Sequence, residues 1–178
     1  MSEPATVGIL MLDTHFTRFQ GDVGHPATWP FPVRFKTVSG ATAAAATTLA
    51  DDRLLGAFIR AGRELAQEGV DGIATSCGFL ALYQRELAEA LPVPVATSAL
   101  LQVPMVQALL PENRRVGVLT FDEASLGPPH LAAVGASADT PVAGLDAFSL
   151  FRLDVLGGPA ASFEQREADV LATAHRLR

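Results

Sequence analysis

The sequence contains very few cysteine, lysine, tryptophan and tyrosine residues. Among its 178 residues there is one cysteine, Cys77, one lysine, Lys36, one tryptophan and one tyrosine. A single cysteine cannot close an internal disulfide, and the four histidines have no paired metal-ligand spacing, so no metal site is predicted. The scarcity of lysine and a net charge of −6 without a basic cluster exclude the charge pattern of a nucleic-acid-binding surface.

Long apolar runs and nucleotide or targeting motifs are absent as well. No uninterrupted apolar stretch approaches the length of a membrane span, and none pairs with a basic region as in a signal peptide. Neither G-x-G-x-x-G nor G-x-x-x-x-G-K-[ST] occurs. With 49% hydrophobic residues the chain can build a core. It is predicted to be a soluble, cytoplasmic protein without membrane or nucleic-acid partners.

What the sequence has in quantity is short runs of Val, Ile and Leu, which predict β-strands. They fall at 6–12, 32–38, 70–75, 93–97, 115–121 and 141–145. Most are continuous rather than alternating, which is typical of strands covered on both faces. Because helical patterns lie between several of them, the sequence predicts an α/β fold with mainly parallel sheets.

Three helical patterns can be placed. The first is capped by Asp51 or Asp52 and ends before Gly69. Its predicted apolar face comprises Leu54, Leu55, Phe58, Ala61, Gly62 and Leu65. The second follows Cys77 and has an apolar face of Phe79, Tyr83 and Leu87. The third opens with a capping box at 162–165 and is predicted to run to the last residue.

Two strand segments in different halves of the chain resemble one another. "VGILMLD" begins at Val7 and "VGVLTFD" begins at Val116, 109 residues later. Buried strands draw on few residue types, so a chance match and a duplicated lobe both remain open. A duplication predicts a first α/β lobe at 1–98 and a second at 99–178, with the counterpart of Cys77 at position 186. The second lobe is then expected to be incomplete, because it stops on a helix with no following strand.

Cys77 lies just past the third predicted strand, at the start of the following helix. In parallel sheets, ligands collect outside the carboxyl ends of the strands, so this is a position for chemistry. Unpaired backbone N–H groups and the positive end of the helix dipole are expected to lower the pKa of the thiol and make it a base or nucleophile. Thr75 and Ser76 add hydroxyls beside it, and Gly78 allows a ligand close to the backbone. The alternative is a buried cysteine that acts as a small hydrophobe.

Other candidate residues lie where strands and loops end. Asp13 follows the first strand, where a carboxylate can orient or deprotonate a neighbour, and Thr14 comes directly after it. The loop at 13–32 is long and rich in glycine and proline, as functional lids are, although a plain solvated loop is the alternative. Trp29 is a candidate substrate contact from its position in this loop alone. Thr120 ends the fifth strand with a hydroxyl that either holds a carboxylate or caps the next helix.

Taken in order, these segments resemble a known superfamily. A first strand ending in an aspartate, the loop "GDVGHPATWPFPV", then "DGIATSCGFLALYQ" and "RRVGVLTFDEASL" are similar to the aspartate/glutamate/hydantoin racemase superfamily. The resemblance implies two similar Rossmann-like lobes that place one cysteine each on opposite faces of a substrate α-carbon, with neither pyridoxal phosphate nor a metal as cofactor. It further implies that Cys77 is the first-lobe acid/base, that Asp13 assists it, and that Thr120 belongs to a substrate-binding loop.

The sequence departs from the family pattern in two places. Glutamate racemases follow the first cysteine with an amide and a hydroxyl residue that hold the substrate carboxylate, whereas Gly78 and Phe79 follow here, as in hydantoin-racemase-like members. These two residues are therefore assigned to the substrate-binding set, and glutamate is not the expected substrate. The family's second cysteine would fall beyond Arg178, so the chain is expected either to be truncated or to work without a second base.

Two hypotheses of function follow. The first is a cofactor-independent racemase or isomerase acting on a small carboxylate or cyclic amide, with a decarboxylase or cis–trans isomerase as a related activity. Removal of an α-proton needs a desolvated base and donors aimed at the developing charge, which a cysteine at a strand end can provide. The second is an inactive or truncated racemase-like binding module, whose exposed sheet edge predicts a homo-oligomer.

Overall fold

The computed structural model describes residues 4–48 and 52–177, which form two compact units. Unit 1 runs to Asp13 and continues with Arg18–Ser98, whereas unit 2 contains Thr14–Thr17 and the chain from Ala99 onward. The described strand pairs of each unit are parallel, with helices between the strands. The predicted α/β class with parallel sheets is confirmed.

Unit 1 is built around a four-stranded sheet. Its elements are β1 (Val7–Leu12), a 3₁₀ helix (Pro26–Thr28), β2 (Val33–Val38), α1 (Ala43–Thr48), α2 (Asp52–Gln67), β3 (Gly72–Thr75), a 3₁₀ helix (Gly78–Tyr83), α3 (Gln84–Ala90) and β4 (Val95–Ala96). The strands lie in the order β2-β1-β3-β4. β1 is central, and its Ile9 and Leu10 are 1% and 0% exposed. β2 lies at the edge of the sheet and is only partly buried. The prediction that most strands are covered on both faces does not hold for β2.

The helix α2 presents the predicted apolar face to the sheet. Its Leu54, Phe58, Ala61 and Leu65 are buried, and it packs on β1 and β2. The helix ends before Gly69, whose φ of +83° turns the chain as predicted. The fit on β1 is close, because a Cβ added at Gly8 would lie 3.0 Å from Leu65 Cδ1. Asp51, one of the two proposed caps, lies outside the described residues.

Unit 2 has a two-stranded sheet among its described residues. Its elements are a 3₁₀ helix (Ala99–Gln102), α4 (Val103–Leu109), β5 (Val118–Thr120), α5 (Pro128–Ala133), β6 (Val142–Gly144), α6 (Leu150–Val155) and α7 (Phe163–His175). β5 pairs in parallel with β6, the next strand along the chain, as β1 does with β2 in unit 1. A Cβ added at Gly117, just before β5, would lie 3.3 Å from Leu177 Cδ1.

Each strand is shorter than its predicted run, and for β4 and β5 the structure shows a reason. β4 is reduced to two residues beside Pro94, which has no N–H to donate to a sheet. β5 begins at Val118 rather than at residue 115, since the Val116 N–H donates to Gln107 Oε1 at 2.9 Å instead of to a strand.

The predicted helices are confirmed in position but differ in length or type. The segment after Cys77 is a 3₁₀ helix followed by α3, with Phe79 and Leu87 buried and Tyr83 only half-buried. α7 starts at the predicted capping box but ends at His175, because the last N–H groups bond to carbonyls three residues back and tighten the final turn. Within the described residues, no helix combines the length and apolarity needed to cross a bilayer.

Candidate active site

The carboxyl ends of β1 and β3 lie side by side at one edge of the unit 1 sheet. Leu10 of β1 is opposite Thr75 of β3, and the Ser76 N–H still donates to Leu10 O at 3.0 Å. The hydroxyl of Ser76 then accepts the Leu12 N–H at 3.0 Å, where a continuing strand would offer a backbone carbonyl. The chain therefore leaves the sheet at Ser76, and Cys77 comes beside the point where β1 ends.

The thiol of Cys77 is buried and held by backbone donors. Cys77 forms no disulfide and is 8% exposed. Its sulfur accepts hydrogen bonds from the N–H groups of Phe79 and Leu80, the first turn of the 3₁₀ helix. The Leu80 N–H also donates to Cys77 O at 3.2 Å, so it is shared between the carbonyl and the sulfur of Cys77.

Burial dominates the acidity of this thiol. It raises the pKa of Cys77 from 9.0 to about 11, and the N–H groups of Phe79 and Leu80 oppose that change without cancelling it. The prediction that backbone donors lower this pKa is therefore wrong for the protein without a ligand, because desolvation of the thiolate outweighs two hydrogen bonds. At neutral pH the thiol is protonated, and it is a proton donor unless a bound group offsets the effect of burial.

The alkylation rate of Cys77 should follow this pKa. Because only the thiolate reacts, we expect modification by iodoacetamide to rise about tenfold per pH unit above neutrality and to level off only near a pH of about 11. Intact-protein mass spectrometry counts the modification cleanly, since the chain has no other cysteine. An exposed peptide thiol levels off near its ordinary pKa of about 8.5. A profile for Cys77 that coincides with the peptide's would contradict the effect of burial.

The two hydroxyls that precede Cys77 are used by the backbone. Thr75 Oγ1 donates to Thr97 O at 2.5 Å, which ties the end of β3 to the residue after β4. The Cys77 N–H approaches the same Thr75 oxygen at 3.4 Å. Ser76, as described above, replaces a carbonyl of the strand ladder. These contacts fix the path of the chain around Cys77, and a substrate contact for either hydroxyl stays a prediction.

Three polar residues beside this edge escaped the sequence analysis. Gln84 donates from Nε2 to Val95 O at 2.9 Å and accepts at Oε1 from Thr97 N at 3.0 Å and from Thr97 Oγ1 at 2.7 Å. Ser98 Oγ lies 3.5 Å from where a Cβ on Gly78 would stand. The usable signal was the pair Thr97 and Ser98 directly after an aliphatic run, which is the same strand-end pattern that singled out Thr75 and Ser76. The open side of Gly78 therefore lies beside the hydroxyl of Ser98, and approach of a substrate to this backbone stays a prediction.

Asp13 connects the ends of β1 and β2. Its carboxylate accepts the Gly40 N–H at 2.9 Å, at a turn where Gly40 has a φ of +76°. Its own N–H donates to Ala41 O at 2.9 Å. Asp13 therefore has a structural task at the same sheet edge as Cys77, and assistance to the thiol stays a prediction.

The loop between β1 and β2 is held together by its own hydrogen bonds. Thr28 Oγ1 donates to Asp22 O at 2.7 Å. The half-buried Trp29 donates from Nε1 to Val23 O at 3.0 Å. Trp29 thus ties one part of the loop to another, and a substrate contact for it stays a prediction.

Thr14 and Thr120 belong to unit 2. Thr14 is half-buried in the segment Thr14–Thr17. Thr120 ends β5, is 8% exposed, and accepts the Leu145 N–H at its carbonyl at 3.1 Å. A role for either hydroxyl in substrate binding stays a prediction.

A charged pair follows Thr120 at the carboxyl end of β5. Asp122 accepts a hydrogen bond from Ser125 Oγ at 2.9 Å and lies 3.3 Å from Arg152 Nη2. Burial alone would raise the pKa of Asp122, but the hydrogen bonds from Arg152 and Ser125 outweigh it and hold that pKa below its usual 3.8. Asp122 is therefore a carboxylate at neutral pH and neutralises the nearby guanidinium.

The described part of the chain contains no set of side chains that could bind a metal ion. Residues 4–48 and 52–177 bring together no group of three or more histidine, cysteine, aspartate or glutamate side chains that could hold a metal ion.

The fold is that of a solved decarboxylase. Unliganded arylmalonate decarboxylase superposes with a TM-score of 0.52 at 14% sequence identity, over 96% of this chain and 74% of that one. An aspartate racemase homologue from Pyrococcus horikoshii OT3 gives a TM-score of 0.45 at 11% identity, over 86% of this chain and 73% of that one. The first match shows the fold: an α/β fold like that of arylmalonate decarboxylase.

Sequence comparison finds relatives of another activity. A dimethylsulfoniopropionate lyase from Durusdinium sp. clade D is 30% identical over 128 residues, which are 71% of this chain and 42% of the relative. Dimethylsulfoniopropionate lyase 3 of Emiliania huxleyi (strain CCMP1516) is 29% identical over 130 residues, 72% of this chain and 34% of the relative. The chain thus spans about two fifths or less of the length of these curated relatives. No protein-family model matches the sequence.

Proposed function

We propose that Cys77 exchanges a proton with the carbon next to a carboxylate, and that the reaction is elimination from dimethylsulfoniopropionate or a similar sulfonium carboxylate. The observation that carries the proposal is the buried Cys77 sulfur, placed at the carboxyl edge of a parallel sheet with two N–H donors aimed at it. The relatives support the choice of substrate, and the decarboxylase fold supports chemistry at a carbon acid.

The elimination needs one base on one side of the substrate. The Cys77 thiolate takes the proton from the carbon α to the carboxylate, and the electron pair left on that carbon forms the double bond. The carbon–sulfur bond breaks at the same time or next, and its electron pair leaves with neutral dimethyl sulfide. Acrylate is the second product, and the thiol is left protonated until the proton passes to water. Atoms and charge balance without a cofactor.

The sulfonium group of such a substrate opposes the effect of burial on the pKa of Cys77. A unit positive charge about 4 Å from the sulfur stabilises the thiolate by about 4 kcal/mol at an effective dielectric constant of about 20. That corresponds to about three pKa units, which exceeds the rise from 9.0 to about 11 that burial causes. This effect applies where the sulfonium group lies nearer the Cys77 sulfur than the substrate's own carboxylate, because the carboxylate acts in the opposite direction. An uncharged hydantoin has no cationic group to place there.

A second function is favoured by the protonated state of the free thiol. With the pKa of Cys77 raised to about 11, the group is ready to donate a proton. A carbanion left by loss of carbon dioxide from a malonate would accept that proton, as in a decarboxylase. A dicarboxylate carries negative charge and keeps the thiol protonated, so the charge of the substrate selects between the acid and the base role.

The purified chain tests both functions in one substrate panel. Dimethylsulfoniopropionate should yield dimethyl sulfide, measured in the headspace by gas chromatography, and acrylate in equal amount, measured by NMR. Phenylmalonate should yield carbon dioxide only if the acid role applies. Enantiopure aspartate, glutamate and 5-substituted hydantoins in deuterated buffer report proton exchange at the α-carbon. Well-folded protein that releases no sulfide would overturn the lyase proposal, and exchange restricted to amino acids or hydantoins would restore the racemase hypothesis.

A further inference from the structure

A cavity in unit 2 opens at the edge of the sheet where β5 and β6 begin. Its volume is about 510 Å³, which lies within the range of small-molecule sites. Residues 114–116, which lead into β5, line it, and so do residues 140–141, which lead into β6. Because the two strands are parallel, this edge is opposite to the one at which Thr120 ends β5. The cavity is therefore separate from the carboxyl edge of the same sheet.

One wall of the cavity is a face of α4. Four residues at helical spacing share this face: Val103, Pro104, Gln107 and Ala108. Gln107 also fixes the loop before β5, since its Nε2 donates to Arg114 O at 3.0 Å and its Oε1 accepts the Val116 N–H. The wall therefore offers apolar contact to a ligand and holds the neighbouring loop in place.

The turn between α5 and β6 forms another wall and is held by its own hydrogen bonds. Gly135 turns the chain with a φ of +72°. Ser137 then accepts the Asp139 N–H at its Oγ at 3.3 Å and the Thr140 hydroxyl at its carbonyl at 2.7 Å. Both loops that border the cavity are thus fixed before a ligand binds, which reduces the conformational entropy lost on binding.

Charged side chains of both signs line the cavity without pairing with one another. They are Arg114, Arg115, Glu112 and Asp139, and all four are exposed. Within residues 4–48 and 52–177, none of the four belongs to an ion pair. A ligand of a single sign would be attracted by two of these groups and repelled by the other two. A ligand that carries both signs can be attracted by all four.

We propose that this cavity binds a small zwitterion, a molecule with one carboxylate and one cationic group on a short apolar body. The guanidinium groups of Arg114 and Arg115 bind the carboxylate, to which their planar sets of donors are suited. The carboxylates of Glu112 and Asp139 attract the cationic group, and the α4 wall contacts the apolar body. All the lining residues belong to unit 2, whereas Cys77 belongs to unit 1, so the inference is independent of the proposed function.

Isothermal titration calorimetry with three probes tests the charge requirement. Glycine betaine carries a carboxylate and a quaternary ammonium group. The probe 3,3-dimethylbutanoate has the same shape without the positive charge, and tetramethylammonium carries the cation alone. We expect glycine betaine to bind at least about tenfold more tightly than either of the other two. Equal or tighter binding of 3,3-dimethylbutanoate, or no saturable binding of glycine betaine, would overturn the proposal.

Paired arginine substitutions locate the binding. Arg114→Gln with Arg115→Gln should weaken the binding of glycine betaine at least about tenfold, because the carboxylate loses its charged donors. Arg60→Gln with Arg63→Gln is the matched control, since it removes the same charge from exposed arginines of α2 outside the cavity. It should leave the affinity within about twofold of the unchanged protein. Equal weakening in both variants, or none in the first, would count against the site.

The acidic side of the cavity is tested by Glu112→Gln with Asp139→Asn. This variant should bind glycine betaine at least about tenfold more weakly. It should bind 3,3-dimethylbutanoate no more weakly than the unchanged protein does, because the two carboxylates attract only the cationic group. Equal weakening for both probes would show a general disturbance of the cavity, and unchanged binding of glycine betaine would show that the carboxylates do not contact it. Either result would refute the proposal.

Discussion

Replacing Cys77 by serine is expected to lower the rate of proton transfer by about a thousandfold, the usual size of a general acid–base contribution. Serine keeps the shape of the side chain and can still accept the N–H groups of Phe79 and Leu80. Its hydroxyl is far less acidic than a thiol, so a substrate cation that brings the thiol toward neutral pH cannot do the same for it. The measurement is kcat for release of dimethyl sulfide, or for α-deuterium exchange if another substrate of the panel is turned over.

The control for this substitution is Thr173→Ser. Thr173 is 3% exposed and bonds through Oγ1 to Asp169 O at 2.8 Å, so the exchange is an equally small change at a buried site without proposed chemistry. We expect its activity to stay within about twofold of the unchanged protein. Activity in Cys77→Ser that matches this control would show that the thiol only packs as a small hydrophobe, the alternative stated for it in the sequence analysis.

Replacing Asp154 by alanine is expected to lower the free energy of unfolding of unit 2 by about 3–5 kcal/mol. The substitution leaves the Arg166 cation 7% exposed and without its carboxylate, and it removes the acceptor of the Ala161 N–H. Asp139→Ala is the matched control, because Asp139 is exposed, and it should cost less than about 0.5 kcal/mol. A small loss in Asp154→Ala would mean that water or another group compensates the guanidinium.

The unfolding of unit 2 has to be followed by a signal that unit 2 contributes. Trp29 and Tyr83, the chain's single tryptophan and tyrosine, both lie in unit 1, so urea denaturation must be followed by circular dichroism rather than fluorescence.

The double variant with Arg166→Met and Asp154→Leu should recover much of the stability lost in Asp154→Ala, since an apolar pair of similar volume can replace a buried ion pair. Recovery would show that the loss in Asp154→Ala comes from the uncompensated charge and not from a cavity.

The sequence was informative where a local pattern decides the structure. The apolar face of α2, the turn at Gly69 and the capping box of α7 depend on neighbours within a few positions, and all were found at the predicted places. The position of Cys77 was also predictable, because a strand followed by a helix in a parallel sheet fixes which edge the connecting residue occupies.

The properties of the site depend on residues far apart in the sequence and could not be predicted in the same way. The pKa of Cys77 was expected to fall and instead rises to about 11, because burial depends on the packing of the whole unit and not on the local helix. Gln84 reaches Val95 and Thr97, and Asp13 reaches Gly40. Arg166 contacts Thr17 across nearly the whole chain. No spacing rule links such pairs.

The two Val-Gly dipeptides, at 7–8 and 116–117, bear on how the resemblance between the two halves of the chain is interpreted. Gly8 gives room to Leu65 near the end of α2, and Gly117 gives room to Leu177 just after α7. Leu65 belongs to α2 and faces strand β1, whereas Leu177 follows α7 and faces the residue before β5. At both glycines a Cβ would come close enough to the leucine that the side chain would have to shift. A close leucine favours glycine at both places with or without a duplication, so the duplicated lobe stays a prediction.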